Sequence, residues 1–125
     1  MTVLFTRHKL TDEQAAALPS GETVDCSDLA GRNLSSLKEA GEVLREILER
    51  VGEGELVISL YGVVPVPLRA VLVDPALGGV IPTGQLVKVF EAFNIQRSVE
   101  GGKPTFTFNG WLLTGEHFLT RGKTW

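Results

Sequence analysis

The stretch with the most chemistry in it is Thr6-Arg7-His8-Lys9. Arginine presents a planar fork of donors that matches phosphate oxygens. Histidine titrates near neutrality and can pass protons, and the Thr6 hydroxyl can bond to either group. Together they suit the binding of a phosphate and proton transfer beside it, although a solvated loop whose histidine only bonds backbone fits the same short pattern. A second stretch is Ser59-Leu60-Tyr61-Gly62-Val63-Val64-Pro65. Gly62 would let a ligand approach the main chain, Tyr61 could stack on a base, and the following helix could aim free amides at an anion. The alternative there is an ordinary strand-to-helix turn with a core tyrosine.

Other chemistries find less support. His8 and His117 are the only two histidines, and no HExxH or aspartate cluster accompanies them, so no metal site is expected. Walker, GxGxxG and GxSxG patterns are missing, which disfavours an ordinary dinucleotide enzyme or a serine hydrolase. The single cysteine, Cys26, allows no intrachain disulfide and reads as a buried packing residue. Asp25, Asp28 and Asp74 look like turn and capping residues. Phe90, Phe93, Phe106, Phe108 and Trp111 could stack bases, but at alternating spacing they also fit a core or a dimer face.

These residues must be carried by one domain, spanning 1–125. The length of 125 residues closes a single core, and 43% hydrophobic with 22% charged residues is ordinary for a folded chain. No window is apolar for the roughly 20 residues a membrane span needs. Arg7, His8 and Lys9 follow the first apolar run, the reverse of a signal peptide, so a cytoplasmic protein with no membrane association is expected. The net charge of −3 argues against a partner of long nucleic acid. A small anion held by a few local groups remains open.

The elements read as an α/β fold. Thr2 to Thr6 suits a buried strand, and Thr11 with Gln14 forms a capping box that opens a short helix before Pro19-Ser20-Gly21. Glu22 to Cys26 reads as a second strand. Ser35 or Ser36 opens the main helix, with Glu39 completing a second capping box. Its inward face is Leu37, Ala40, Val43, Leu44, Ile47, Leu48 and Val51. Glu55 to Leu60 is a third strand, a helix opens at Pro65 or Pro67, and Gly78 to Ile81 is a short strand. Leu86 to Val99 and Thr105 to Leu113 then form a hairpin about Glu100-Gly101-Gly102-Lys103. The alternation of strand and helix implies a mostly parallel sheet with helices on both faces. Ligands of such sheets bind beyond the carboxyl ends of the strands, where the Thr6–Lys9 and Tyr61–Pro67 loops lie.

The run Val3-Leu4-Phe5-Thr6-Arg7-His8-Lys9-Leu10-Thr11-Asp12-Glu13-Gln14 resembles the opening of small CRISPR-associated proteins of type III systems, in which a strand, a Ser/Thr-x-His step and an LT-x-EQ helix start follow one another. Gly54-Glu55-Leu56-Val57-Ile58-Ser59-Leu60-Tyr61-Gly62 is similar to their central strand and loop, with Glu55 standing where aspartate is usual. The hairpin, with Gly101-Gly102-Lys103 and Phe108 to Trp111, is the kind of ending they show. The resemblance implies a single Rossmann-like domain that forms a homodimer, with a cyclic oligoadenylate lying across the two-fold axis. It further implies a ring nuclease that linearises this messenger without metal or other cofactor, by attack of the ribose 2′-hydroxyl on the neighbouring phosphate, and so silences antiviral signalling. On that reading His8 transfers a proton, Arg7 clamps the phosphate, and Thr6, Ser59, Tyr61 and Gly62 cradle the ligand. A sponge that binds the messenger without cleaving it, and a dimeric interaction protein without a nucleotide site, remain alternatives.

Overall fold

Val3 and Phe5 lie on one side of the four-residue strand β1 (Thr2–Phe5) and Leu4 on the other, and this alternation organises the whole molecule. The structure, a computed structural model, describes residues 1–119, with side chains throughout except those of residues 95–100 and 103–106. After β1 come α1 (Asp12–Ala16), β2 (Thr23–Asp25), α2 (Ser27–Ala30), α3 (Leu37–Val51), β3 (Val57–Gly62) and α4 (Val66–Val73). A 3₁₀ turn (Pro75–Gly78) then leads to the long hairpin strands β4 (Leu86–Glu100) and β5 (Lys103–Phe118). The strands form one five-stranded sheet in the order β2-β1-β3-β4-β5, parallel except for the antiparallel β4–β5 pair.

One face of the sheet carries the core. Val3, Phe5, Ile58, Leu60, Val87 and Val89 point together into a cluster with Val43, Leu44 and Ile47 of α3 and Leu68, Val71 and Leu72 of α4. Each of these apolar side chains contributes about 1.5–3 kcal/mol by burial. Helix α3 starts where expected, with the Ser36 hydroxyl accepting from the Glu39 amide. The expected capping box is displaced by one residue, because the Glu39 carboxylate accepts from the Ser35 amide and hydroxyl instead of the Ser36 amide. Gly41 of α3 faces the 3₁₀ turn so closely that a Cβ on it would lie 2.0 Å from the Gly78 carbonyl oxygen.

The opposite face carries the short helix α1, which covers it only in part. Helix α1 buries none of its residues, and Phe118 and Val57 remain 63% and 40% exposed. A five-residue helix is too short to cover a sheet of this width, so an aromatic cluster on β3, β4 and β5 supplies much of the packing there. The expected strand at Gly78–Ile81 is also replaced. Asp74 caps the Ala76 amide, Pro75 favours a tight turn, and Gly79 takes a left-handed φ of 69°, so the chain turns back where a strand would extend. Helix α2 was not visible in the sequence because its four residues are too few for a periodic signal.

Arg50 at the end of α3 ties this layer to the β2–α2 corner. Its guanidinium donates to both Asp28 oxygens at 2.7 and 2.8 Å, to the Asp25 carbonyl at 3.3 Å and to Glu46 at 3.3 Å. The Arg50 hydrogen bonds pull the Asp28 carboxyl from its ordinary value of 3.8 down to about 2. Since the folded pKa lies below the unfolded one, the pair contributes fully above about pH 4 and is lost as pH falls toward 2. The contribution of so exposed a pair is small and screened by salt. In acid titrations followed by circular dichroism, Asp28→Asn is therefore expected to flatten the stability profile between pH 4 and pH 2 and to leave its shape above that unchanged.

A candidate anion-binding cleft at the β1–β3 strand ends

The connection from β1 runs through α1 to the β2 side, whereas β3 leads through α4 to the β4 side, so the crossovers beside the neighbouring strands β1 and β3 diverge. Such a divergence opens a crevice at the carboxyl ends of the two strands. A cleft of about 760 Å³ lies there, floored by Phe5 and Gly62. The Thr6–Leu10 loop forms one wall, the turn Gly31–Leu34 after α2 another, and Ala92, Asn94 and Trp111 of the hairpin a third.

The loop after β1 is held at both ends. The Thr6 hydroxyl accepts from the His8 amide at 3.1 Å and also donates to the His8 carbonyl, a local turn of the kind threonine favours. At the other end the Thr11–Gln14 capping box is complete, with bonds of 3.0 and 3.2 Å. The Gln14 carbonyl then accepts from the Trp111 indole N–H at 3.2 Å, which joins the loop and α1 to the hairpin. Between these anchors Arg7, His8 and Lys9 are exposed.

Charge distinguishes this cleft from the rest of the surface. Arg7, Lys9 and Arg32 line it with His8, and among the described residues no acidic one does. Arg50, Arg69 and Lys88 elsewhere are ion-paired, whereas among the described residues no ion pair or hydrogen bond engages the side chains of Arg7, His8, Lys9 or Arg32, nor those of Lys38 and Arg45 on α3. Three cations around one concavity in a chain of net charge −3 concentrate positive potential locally. On its other side the same loop borders a second hollow of about 620 Å³, where Asp12, Asp25 and Asp28 oppose an anion.

The structure brings Thr6, Arg7, His8 and Gly62 together and leaves Ser59 and Tyr61 out of the cleft lining. Ser59 sits half-buried in the middle of β3, opposite Thr2, with its amide bonded to the Met1 carbonyl at 2.9 Å. Tyr61 is 6% exposed and stacked on Phe90, with centroids 4.7 Å apart and planes at 8°. Burial pushes its phenol pKa up, as expected of a core tyrosine. Tyr61 meets Trp111 edge-on at 5.2 Å and so supports a cleft residue without reaching the cleft. Gly62 is required for packing, since a Cβ there would lie 1.6 Å from the Phe5 carbonyl oxygen.

Arg32, Asn33 and Asn94 join the site although the sequence did not mark them, and Trp111, which the sequence offers as a base stacker or as a core or dimer-face residue, joins it with them. The signals were present but mute: Arg32-Asn33 follows Gly31 in an irregular stretch, and Trp111 reads equally well as core. His117 lies at the far end of β5, opposite Val87, with its Nε2 buried and unpartnered among the described residues. Burial and the nearby Arg69 hold its pKa below the usual value. Cys26 is buried at the start of α2, and burial pushes its thiol up. No group of three His, Cys, Asp or Glu side chains among the described residues could hold a metal ion. No described helix is long and apolar enough to cross a membrane.

The fold and the cleft thus define an α/β domain with a cation-lined crevice where its crossovers diverge. Comparison with known proteins adds nothing to that description: no family model, no curated protein and no solved structure matches the chain.

Proposed function

We propose that the cleft binds a cyclic oligoadenylate, cyclic tetra-adenylate in the first instance, and that the protein is a ring nuclease that linearises it and switches off type III CRISPR signalling. The observation that supports an anionic ligand is the trio Arg7, Lys9 and Arg32, none paired with a described residue, around a cleft with no acidic residue in its described lining. The choice of a cyclic oligoadenylate rests on the resemblance carried by the β1 loop. The strand order suits a Rossmann-like reading, with the ligand at the divergence of the crossovers.

In the reaction, a ribose 2′-oxygen bonds to the adjacent phosphorus and the bond to the 5′-oxygen breaks. A 2′,3′-cyclic phosphate and a free 5′-hydroxyl result. The proton lost by the 2′-hydroxyl passes to a base, and one is delivered to the departing 5′-oxygen. His8 serves as the proton-transfer group, with Arg7 and Arg32 stabilising the charge that builds on the non-bridging oxygens. The pinned Thr6–His8 turn restricts where the imidazole can go, which favours alignment of the attack. In a homodimer two clefts would face one ring, each supplying its own Arg7.

A second reading is a sponge that sequesters the ligand. It is favoured by one feature: no carboxylate or other described side chain orients the His8 imidazole. Incubation of the purified protein with excess cyclic tetra-adenylate in EDTA separates the two. The enzyme is expected to release many equivalents of linear product bearing a cyclic phosphate. His8→Ala should lower the rate by about 10²–10⁴-fold while still binding the ring. Intact ligand retained at no more than one ring per site would instead establish the sponge.

A further inference from the structure

We infer that Trp111 is the base-stacking wall of the cleft, so that the hairpin reads the nucleobase while the loops read the phosphate. This rests on the anionic-ligand reading above and adds the specificity-determining residue.

Strand β5 is irregular in two places, and both irregularities serve to aim Trp111. The pairing Ala92↔Trp111 is followed by Asn94↔Phe108, which leaves an extra residue at Asn109-Gly110, where Gly110 takes a φ of 114°. The pairing Val89↔Gly115 beside Phe90↔Leu113 leaves a second extra residue, Thr114. Bulges of this kind bend a strand and re-aim its side chains. Residues three apart would otherwise point to opposite faces, but here Phe108 and Trp111 share one, with centroids 5.6 Å apart.

The resulting indole is rigid and unstacked. Its N–H is committed to the Gln14 carbonyl, so the indole lines the cleft without a free donor. Tyr61 and Phe108 meet it at 87° and 67°, and no described ring lies parallel against it. Beside it, Asn94 brings an exposed amide, able both to donate and to accept, to the same wall. A cationic wall facing an unstacked indole and an amide fits a molecule with a phosphate at one end and a planar heterocycle at the other. A sugar phosphate or inorganic phosphate would leave the aromatic wall idle.

The test compares two probes of equal charge, the 5′-phosphorylated deoxydiadenylate and the same backbone with both bases absent. Neither has a 2′-hydroxyl, so neither can be cleaved by the proposed route. Binding is followed by fluorescence in a Trp125→Phe background, which leaves Trp111 as the only tryptophan of the chain's two. The base-bearing probe is expected to bind roughly tenfold or more tightly than the abasic one and to quench Trp111. Anisotropy with labelled probes should show that Trp111→Ala removes that preference, whereas Trp111→Phe keeps much of it. Equal affinity of the wild-type protein for the two probes would overturn the inference and leave the anion site standing. Failure of both to bind would overturn the inference and the anionic-ligand reading together.

Discussion

Arg7→Ala and Arg32→Ala are each expected to weaken the binding of cyclic tetra-adenylate about 10- to 100-fold, as the loss of one charge-assisted hydrogen bond of ~1.5–3 kcal/mol implies. Neither guanidinium has an ion pair or a side-chain hydrogen bond to a described residue. Their removal therefore costs the fold little, within about 0.5 kcal/mol. Affinity should fall while the melting temperature stays constant, a separation that structural arginines such as Arg50 would not give. The Arg7→Ala/Arg32→Ala double variant should lose at least the sum of the two if both contact one phosphate group and share its charge. Lys38→Ala, on the solvent face of α3 and outside the cleft, is the control and should change nothing. The wild-type affinity should also fall with added salt, because the attraction is largely electrostatic. Equilibrium binding at two ionic strengths, with thermal melts of each variant, checks all of this.

Gly62→Ala is expected to be the most damaging single methyl in the protein. Its φ of 154° lies where side-chain-bearing residues are rare, and the added Cβ would sit 1.6 Å from the Phe5 carbonyl oxygen. Backbone strain of ~1–3 kcal/mol and overpacking of a similar size act together. A loss of about 3–5 kcal/mol is a large share of the stability of such a domain, and a fall in melting temperature of roughly 10–20 °C follows. The methyl would also wedge apart the ends of β1 and β3, the floor of the cleft, so binding should fail even in any folded fraction. Gly54→Ala, with nothing within 4 Å of its added Cβ, should melt within a few degrees of the wild type. Differential scanning calorimetry of the two variants makes the comparison.

The contrast between those two glycines shows where reading from sequence stops. Both precede or end β3 and look alike in the chain, but only the pairing of Phe5 with Gly62 makes one of them irreplaceable. Helix α3 was legible because its apolar residues repeat with helical period over fifteen residues, and the Thr11 box because both partners lie within one turn. The hairpin turn was legible from two adjacent glycines, which take φ of 66° and 80°. The basic loop after β1 was visible as a cluster, and the parallel-sheet rule placed it at the mouth of a crevice. What long-range packing decides was hidden. The bulges at Asn109-Gly110 and Thr114 reset the period of β5, so strict alternation does not show that Phe108 and Trp111 share a face. Arg32 reaches the cleft only because α2 turns the chain there, and four residues carry no periodic signal. Tyr61 was drawn out of the ligand site by Phe90, on a strand that lies a long way off in sequence.

Amide chemical shifts of the labelled protein, recorded while cyclic tetra-adenylate is titrated in, test the central claim most directly. Residues 6–10, 31–34 and 62–64 should shift together and saturate together, along with the Trp111 indole proton. Perturbation centred on the hollow beside Asp12 and Asp25, or no perturbation at millimolar ligand, would contradict the assignment of this cleft as the anion site.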